Sequence, residues 1–153
     1  MGRRGARALM AIAALAAPAA GCRESTRPPP AACTARPETI AAALGGAPAR
    51  VRLAGGVALS ECVSRARADA DLQSVGSVLT GVADGLRTRA LAHADAALRL
   101  GYLVGAVERG GSHTNGIHAE LIRRVEQDAA LPGARAAAVA AFGRGRQAGR
   151  LYG

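Results

Sequence analysis

The sequence has no tryptophan, no lysine, one phenylalanine and two tyrosines. Phe142, Tyr102 and Tyr152 are too few to build a platform on which bases stack. Nucleic acid is therefore not an expected partner, despite a formal charge of +9. Every strong cation is an arginine, in a chain rich in alanine and glycine, which reads first as a compositional bias of the coding sequence. A basic balance still suits an anionic partner such as an acidic envelope polymer. Beyond the N-terminus no apolar run approaches the ~20 residues that span a bilayer. The most apolar stretch, residues 96–107, is interrupted by Arg99 and stops at Glu108. Catalytic signatures are missing too. There is no G-x-S-x-G, no phosphate-binding G-x-x-x-x-G-K, no H-E-x-x-H and no dinucleotide fingerprint after a strand. Asp69 with Asp71, and Glu126 with Asp128, sit two apart on helical segments and so face different ways. No catalytic residue is assigned, and no cofactor is called for.

What is present begins at the N-terminus. Arg3, Arg4 and Arg7 precede a short apolar run containing Leu9, Met10, Ile12 and Leu15. Small residues follow, Ala19-Ala20-Gly21, directly before Cys22. A basic end, a short apolar core and small residues are the parts of an export signal. Small residues followed by cysteine resemble the lipobox of bacterial prolipoproteins. The resemblance covers residues 1–22 and departs at Ala19, where the family prefers leucine. It implies cleavage of residues 1–21 and a diacylglyceryl group, with palmitate-type acyl chains, on Cys22. The mature protein would then be held on the extracytoplasmic side of a bacterial cell membrane through that lipid. The alternative is cleavage at Ala17-Pro18-Ala19 by ordinary signal peptidase, giving a secreted, lipid-free helical protein.

With Cys22 set aside, Cys33 and Cys62 remain. An even pair in an exported chain is expected to form a disulfide, and closing a loop of about 30 residues contributes roughly 3–4 kcal/mol in the chain-entropy model. Two free thiols are the other reading. Neither cysteine lies in a C-x-x-C, so thioredoxin-like and zinc-ribbon chemistry find no support.

The rest divides by composition. Residues 22–37, with Pro28-Pro29-Pro30 and almost no large apolar side chains, read as an extended tether reaching up to ~45 Å. Residues 38–142 read as a helical domain. Residues 50–59 alternate Val51, Leu53, Val57 and Leu59 around Gly55-Gly56, the pattern of a short β-hairpin. Residues 60–89 carry a stripe of Leu72, Val75, Val78, Leu79, Val82 and Leu86 at three- and four-residue steps, with a break expected near residues 69–72. Residues 91–109 are apolar on most sides and belong at the centre. Residues 116–130 and 134–142 form the last helices. Residues 143–153 contain three arginines and no acid, and read as a disordered basic tail through which Arg144, Arg146 and Arg150 meet anionic surfaces. The expected fold is all-α, a small bundle of four or five helices with one short hairpin.

The least ordinary stretch is residues 110–118, Gly-Gly-Ser-His-Thr-Asn-Gly-Ile-His. His113, His118 and Glu120 are candidate metal ligands, with His93 upstream. The competing reading is a glycine-rich turn capped by Thr114 or Asn115. The functional expectation is a lipid-anchored envelope protein acting as a non-enzymatic binding or structural module, its partner an envelope protein, a small ligand or an anionic polymer. The alternative is a metal-dependent enzyme or metal-binding protein centred on His113 and His118.

Overall fold

The computed structural model describes residues 27–114 and 116–153. The expected signal peptide, Cys22 and the first residues of the expected tether lie outside them, as does Asn115. The described chain is all-helical: α1 Pro37–Ala43, α2 Leu59–Arg65, α3 Asp69–Ala90, α4 Ala94–Gly111, α5 Ala119–Asp128 and α6 Ala136–Tyr152. Short 3-10 turns sit at Ala31–Thr34, Leu44–Gly46 and Ala54–Gly56.

Local chemistry accounts for most of these boundaries. Pro37 opens α1, where its missing N–H costs nothing and its fixed φ suits the first turn. α3 begins with Asp69 and Asp71 and ends with Arg87 and Arg89, each charge at the helix end that the peptide dipoles favour. Its buried stripe is Val75, Leu79, Val82, Ala83, Leu86 and Ala90. The break expected near residues 69–72 is present a few residues earlier, at 66–68, and divides the stretch into α2 and α3. Ala66, with φ −74° and ψ 85°, and Ala68, with ψ 148°, leave helical geometry between α2 and α3.

No β-strand occurs among the described residues, so the expected hairpin is replaced by a tight turn. Gly55 and Gly56 do adopt positive φ, 71° and 77°, as a glycine turn requires. The Leu53 N–H donates to the Val57 carbonyl at 2.8 Å. Pairing goes no further for two reasons. The Val51 N–H, which would continue a ladder, donates instead to the hydroxyl of Tyr102 at 3.1 Å. On the other side α2 begins at Leu59, so no length remains for a second strand. The alternation of Val51 and Leu53 buries side chains against the helices rather than marking a sheet.

The ordered chain also reaches further at both ends than composition suggests. Cys33 is fully buried and bonded to Cys62, so the fold takes in the last residues of the expected tether. Residues 143–152, expected to be a disordered tail, are instead the second half of α6. Their glycines explain why. α4 packs more extensively against α6 than against any other element. Gly101 and Gly105 on α4 meet Gly145, Gly149 and Gly153, which are spaced one turn apart at the end of α6. A Cβ on Gly101 would fall on the Phe142 carbonyl, and one on Gly105 on the Arg146 carbonyl. Reciprocally, a Cβ on Gly145 would meet the carbonyl of Leu98, and one on Gly149 that of Tyr102. Backbone therefore lies against backbone, as small residues at four-residue spacing permit. The order of these contacts shows that α4 and α6 run in the same direction. α5 returns the chain between them.

Around this pair sits a core of valine, leucine and alanine, with Tyr102 as its largest fully buried side chain. α3 packs on α4 and on α1, α2 packs on α4, and α5 leans on α3 and α4.

Candidate functional site

The residues singled out as metal ligands are not brought together. His118 is fully buried just before α5. Its Nε2 lies 2.7 Å from the Ala66 carbonyl. A carbonyl only accepts, so Nε2 carries the proton and the ring ties α5 to the joint between α2 and α3. Nδ1 has no hydrogen-bond partner among the described residues. His113 is exposed, and so is His93 at the start of α4. Glu120 sits on the surface and accepts from Arg123 at 2.8 Å and Arg124 at 2.7 Å. Those two guanidiniums hold its carboxyl at about 2. Among the described residues no group of three or more His, Cys, Asp or Glu side chains is placed to hold a metal ion. Of the two proposed caps of α5, Asn115 lies outside the described residues, and the Thr114 hydroxyl donates back to the Gly111 carbonyl at 2.7 Å instead.

His113 borders an open polar groove of about 740 Å³ where α2, the end of α4 and the end of α6 converge. Hydroxyls line it, but each is used to hold main chain in place. Ser60 Oγ donates to the Gly153 carbonyl at 2.6 Å, Ser64 to the Glu61 carbonyl and Ser112 to the Arg109 carbonyl. Arg109 donates to the carbonyls of Arg150 and Leu151 at 2.9 and 2.5 Å, satisfying the otherwise unpaired end of α6. The groove is thus a hydrogen-bonded seam between three helix ends, with its donors turned inward.

The most concentrated electrostatics lie further along α4 and α6, at residues the sequence reading had left as surface charge or tail. Glu108 of α4 accepts from Arg146 Nε at 2.7 Å, from a terminal nitrogen of the same guanidinium, and from Arg150 Nε at 2.5 Å. Arg146 also reaches Glu126 of α5 at 2.6 Å. Burial pushes the Glu108 carboxyl up, but the hydrogen bonds from Arg146 and Arg150 outweigh it and leave it below the ordinary carboxylate range. Glu126 goes the other way. Burial and the neighbouring Glu108 hold its carboxyl above that range, although it touches Arg146. Glu108 takes hydrogen bonds from both Arg146 and Arg150, whereas Glu126 has Arg146 alone and lies against the Glu108 carboxyl. Two of the three arginines expected to meet anionic surfaces, Arg146 and Arg150, are therefore engaged in ion pairs within the fold, although Arg150, like Arg144, stays exposed.

The signal for this cluster was in the sequence. Arg146 and Arg150 are one turn apart, each directly following a glycine of the 145–149 row, and Glu108 follows Gly101 and Gly105 on the partner helix. No protein-family model, no curated protein and no solved structure matches this chain.

Proposed function

We propose that the protein is a lipid-anchored component of a bacterial envelope, in which a disulfide-clasped helical domain is held on the extracytoplasmic side through Cys22 and acts as a non-enzymatic binding or structural module. The observation that supports this reading most directly is the Cys33–Cys62 bond. Structural disulfides belong to oxidising compartments, which the export signal would reach. The bond also fixes the start of the domain at Cys33, eleven positions after Cys22. No helix among the described residues is long and apolar enough to cross a membrane. In this reading attachment rests on the lipid.

The test is the intact mass of the protein from the membrane fraction of a lipoprotein-processing bacterium, without reductant, beside a Cys22→Ala variant. The expected mass begins at Cys22, carries diacylglycerol and acyl chains, and lacks one hydrogen from each of the two remaining thiols. Cys22→Ala should leave the membrane fraction. A lipid-free chain in the medium beginning at Ala20 would overturn the anchor.

A further inference from the structure

α5 is held differently from its neighbours. α4 and α6 meet backbone to backbone, and Arg135, at the start of α6, donates its N–H to the Leu91 carbonyl. α6 is thus seated on the fold along its whole length. α5 touches through side chains instead. Of its ten residues, only Leu121 and Val125 are buried. Leu121 rests on Gly76 of α3, where a Cβ would come within 3.3 Å of its Cδ1, and Ile122 rests on Gly111 at the end of α4. Hollows lie on both sides. Towards α3 an open groove of about 760 Å³ is bordered by Gln73, Ser77 and Arg124. Towards α4 and α6 an apolar cleft of about 330 Å³ is bordered by Val104, Leu131, Val139 and Phe142. A helix flanked by open space gives up few contacts when it moves.

The polar ties of this segment are also few. His118 Nε2 donates to the Ala66 carbonyl in the interior. Glu126 with Arg146, and Arg87 with the Ala130 carbonyl, are reached by solvent. No side chain caps the start of α5. Glycines in the left-handed region stand at both ends of the segment, Gly116 with φ 87° and Gly133 with φ 74°. An added Cβ at either would meet nothing within 4 Å, so neither is wedged against a neighbour.

We infer that α5 is a hinged strap. It swings outward as one unit about Gly116 and Gly133, breaking the contacts of His118, Glu126 and Ala130, while α3, α4 and α6 stay packed. Opening uncovers Val104 and joins the two hollows into one trough, so access to the apolar interior is governed by this one helix. The inference does not depend on the lipid anchor.

Native-state amide exchange on the oxidised full chain, in urea well below the unfolding midpoint, reads the opening. Out of its seat so short a helix is marginal and gives up its amide protons. Without urea, the amides of residues 123–128 are expected to exchange at least about tenfold faster than those of residues 104–107 in α4. Added urea should leave the α5 rates nearly flat, because little surface is exposed, and should raise the α4 rates steeply. Gly85→Ala gives a second measure. It stabilises α3 in the closed and open forms alike, so α4 protection should rise about fivefold while α5 protection keeps its wild-type value. Equal rates in α5 and α4 with the same urea dependence, or a rise of both with Gly85→Ala, would overturn the strap. So would exchange at Gly145 and Gly149 as fast as in α5, because α6 would then be moving with it.

Discussion

Replacing Gly105 by alanine should destabilise the domain, whereas the same change at Gly85 should stabilise it. Both glycines lie inside helices, α4 and α3, where alanine is intrinsically better by about 1 kcal/mol. At Gly85 an added Cβ meets nothing within 4 Å, so the propensity gain stands alone. At Gly105 the Cβ would sit 2.9 Å from the Arg150 nitrogen and closer still to the Arg146 carbonyl oxygen, inside the 3.0 Å that real Cβ atoms essentially never breach. The obstacle is backbone on both sides, so no rotamer change relieves it. α6 must back away, loosening the contacts of Gly145 and Gly149 and stretching the Glu108 ion pairs. Overpacking of this kind costs about 1–3 kcal/mol, occasionally more. With no side chain free to yield, the upper part of that range applies. Net of the propensity gain, about 2 kcal/mol should be lost. For a domain of this size that is a fall in Tm of roughly 8 °C, against a rise of about 2–4 °C for Gly85→Ala. Thermal and urea unfolding followed by circular dichroism, with the disulfide intact, gives both numbers. If Gly105→Ala raised stability as Gly85→Ala does, α4 and α6 would not lie backbone to backbone, and the argument for an ordered C-terminal helix would fail with it.

Three further outcomes are expected. Tyr102→Phe leaves the buried Val51 N–H without its acceptor and should cost about 1–3 kcal/mol in urea unfolding, although no apolar contact is lost. Cys33→Ser with Cys62→Ser should cost roughly 3–4 kcal/mol, and oxidised and reduced wild-type protein should differ by about the same amount. Glu108 titrates lower in the folded chain than in the unfolded one, so it adds stability that is complete above the ordinary carboxylate range and disappears as pH falls through its lowered value. Glu126 titrates higher when folded, so it opposes this trend as acid is added. Glu108→Gln should therefore lower stability at neutral pH and flatten its acid limb, and Glu126→Gln should steepen that limb. A Glu108→Gln titration parallel to wild type would contradict the assignment.

Much of the helical layout was legible because α3 and α4 carry their burial in large side chains at regular spacing. Val75, Leu79, Val82 and Leu86 mark a face that hydrophobicity alone reveals. The disulfide followed from parity and export. What was hidden is burial achieved without hydrophobic bulk. Residues 143–153 contain glycine, arginine and glutamine, which resemble a solvated tail when scored by apolar content. They are ordered because glycine brings two main chains together and because Glu108 and Glu126 balance Arg146 and Arg150. The hairpin was misread for a related reason. Alternation at Val51 and Leu53 fixes which side chains point inward, but not which acceptor takes the Val51 N–H, and Tyr102 lies 51 residues away. His118 is unusual in sequence only by its neighbours. That it ends up buried on the Ala66 carbonyl depends on where α2 stops.

Glycines repeating every turn make a smooth track, and a smooth track has more than one resting place. If α6 slid along α4 by one turn, about 5.4 Å, Gly149 and Gly153 could take the places of Gly145 and Gly149 in one direction, whereas in the other Ala141 would enter the place of Gly145, where a Cβ meets the Leu98 carbonyl. The charges act as the stop. In the direction that brings Phe142 to the place of Arg146, Glu126 would face a ring and Glu108 would keep one arginine, Arg146 in the place of Arg150, where it now has two. In the other, Arg146 would be driven into the apolar cleft beside Val104 and Leu131. Only the observed setting places an arginine on Glu108, a second one beside it and Phe142 in hydrocarbon surroundings. The ion cluster thus works as a detent on a rail with a second notch, so removing Glu108 would weaken the preference for the observed docking position.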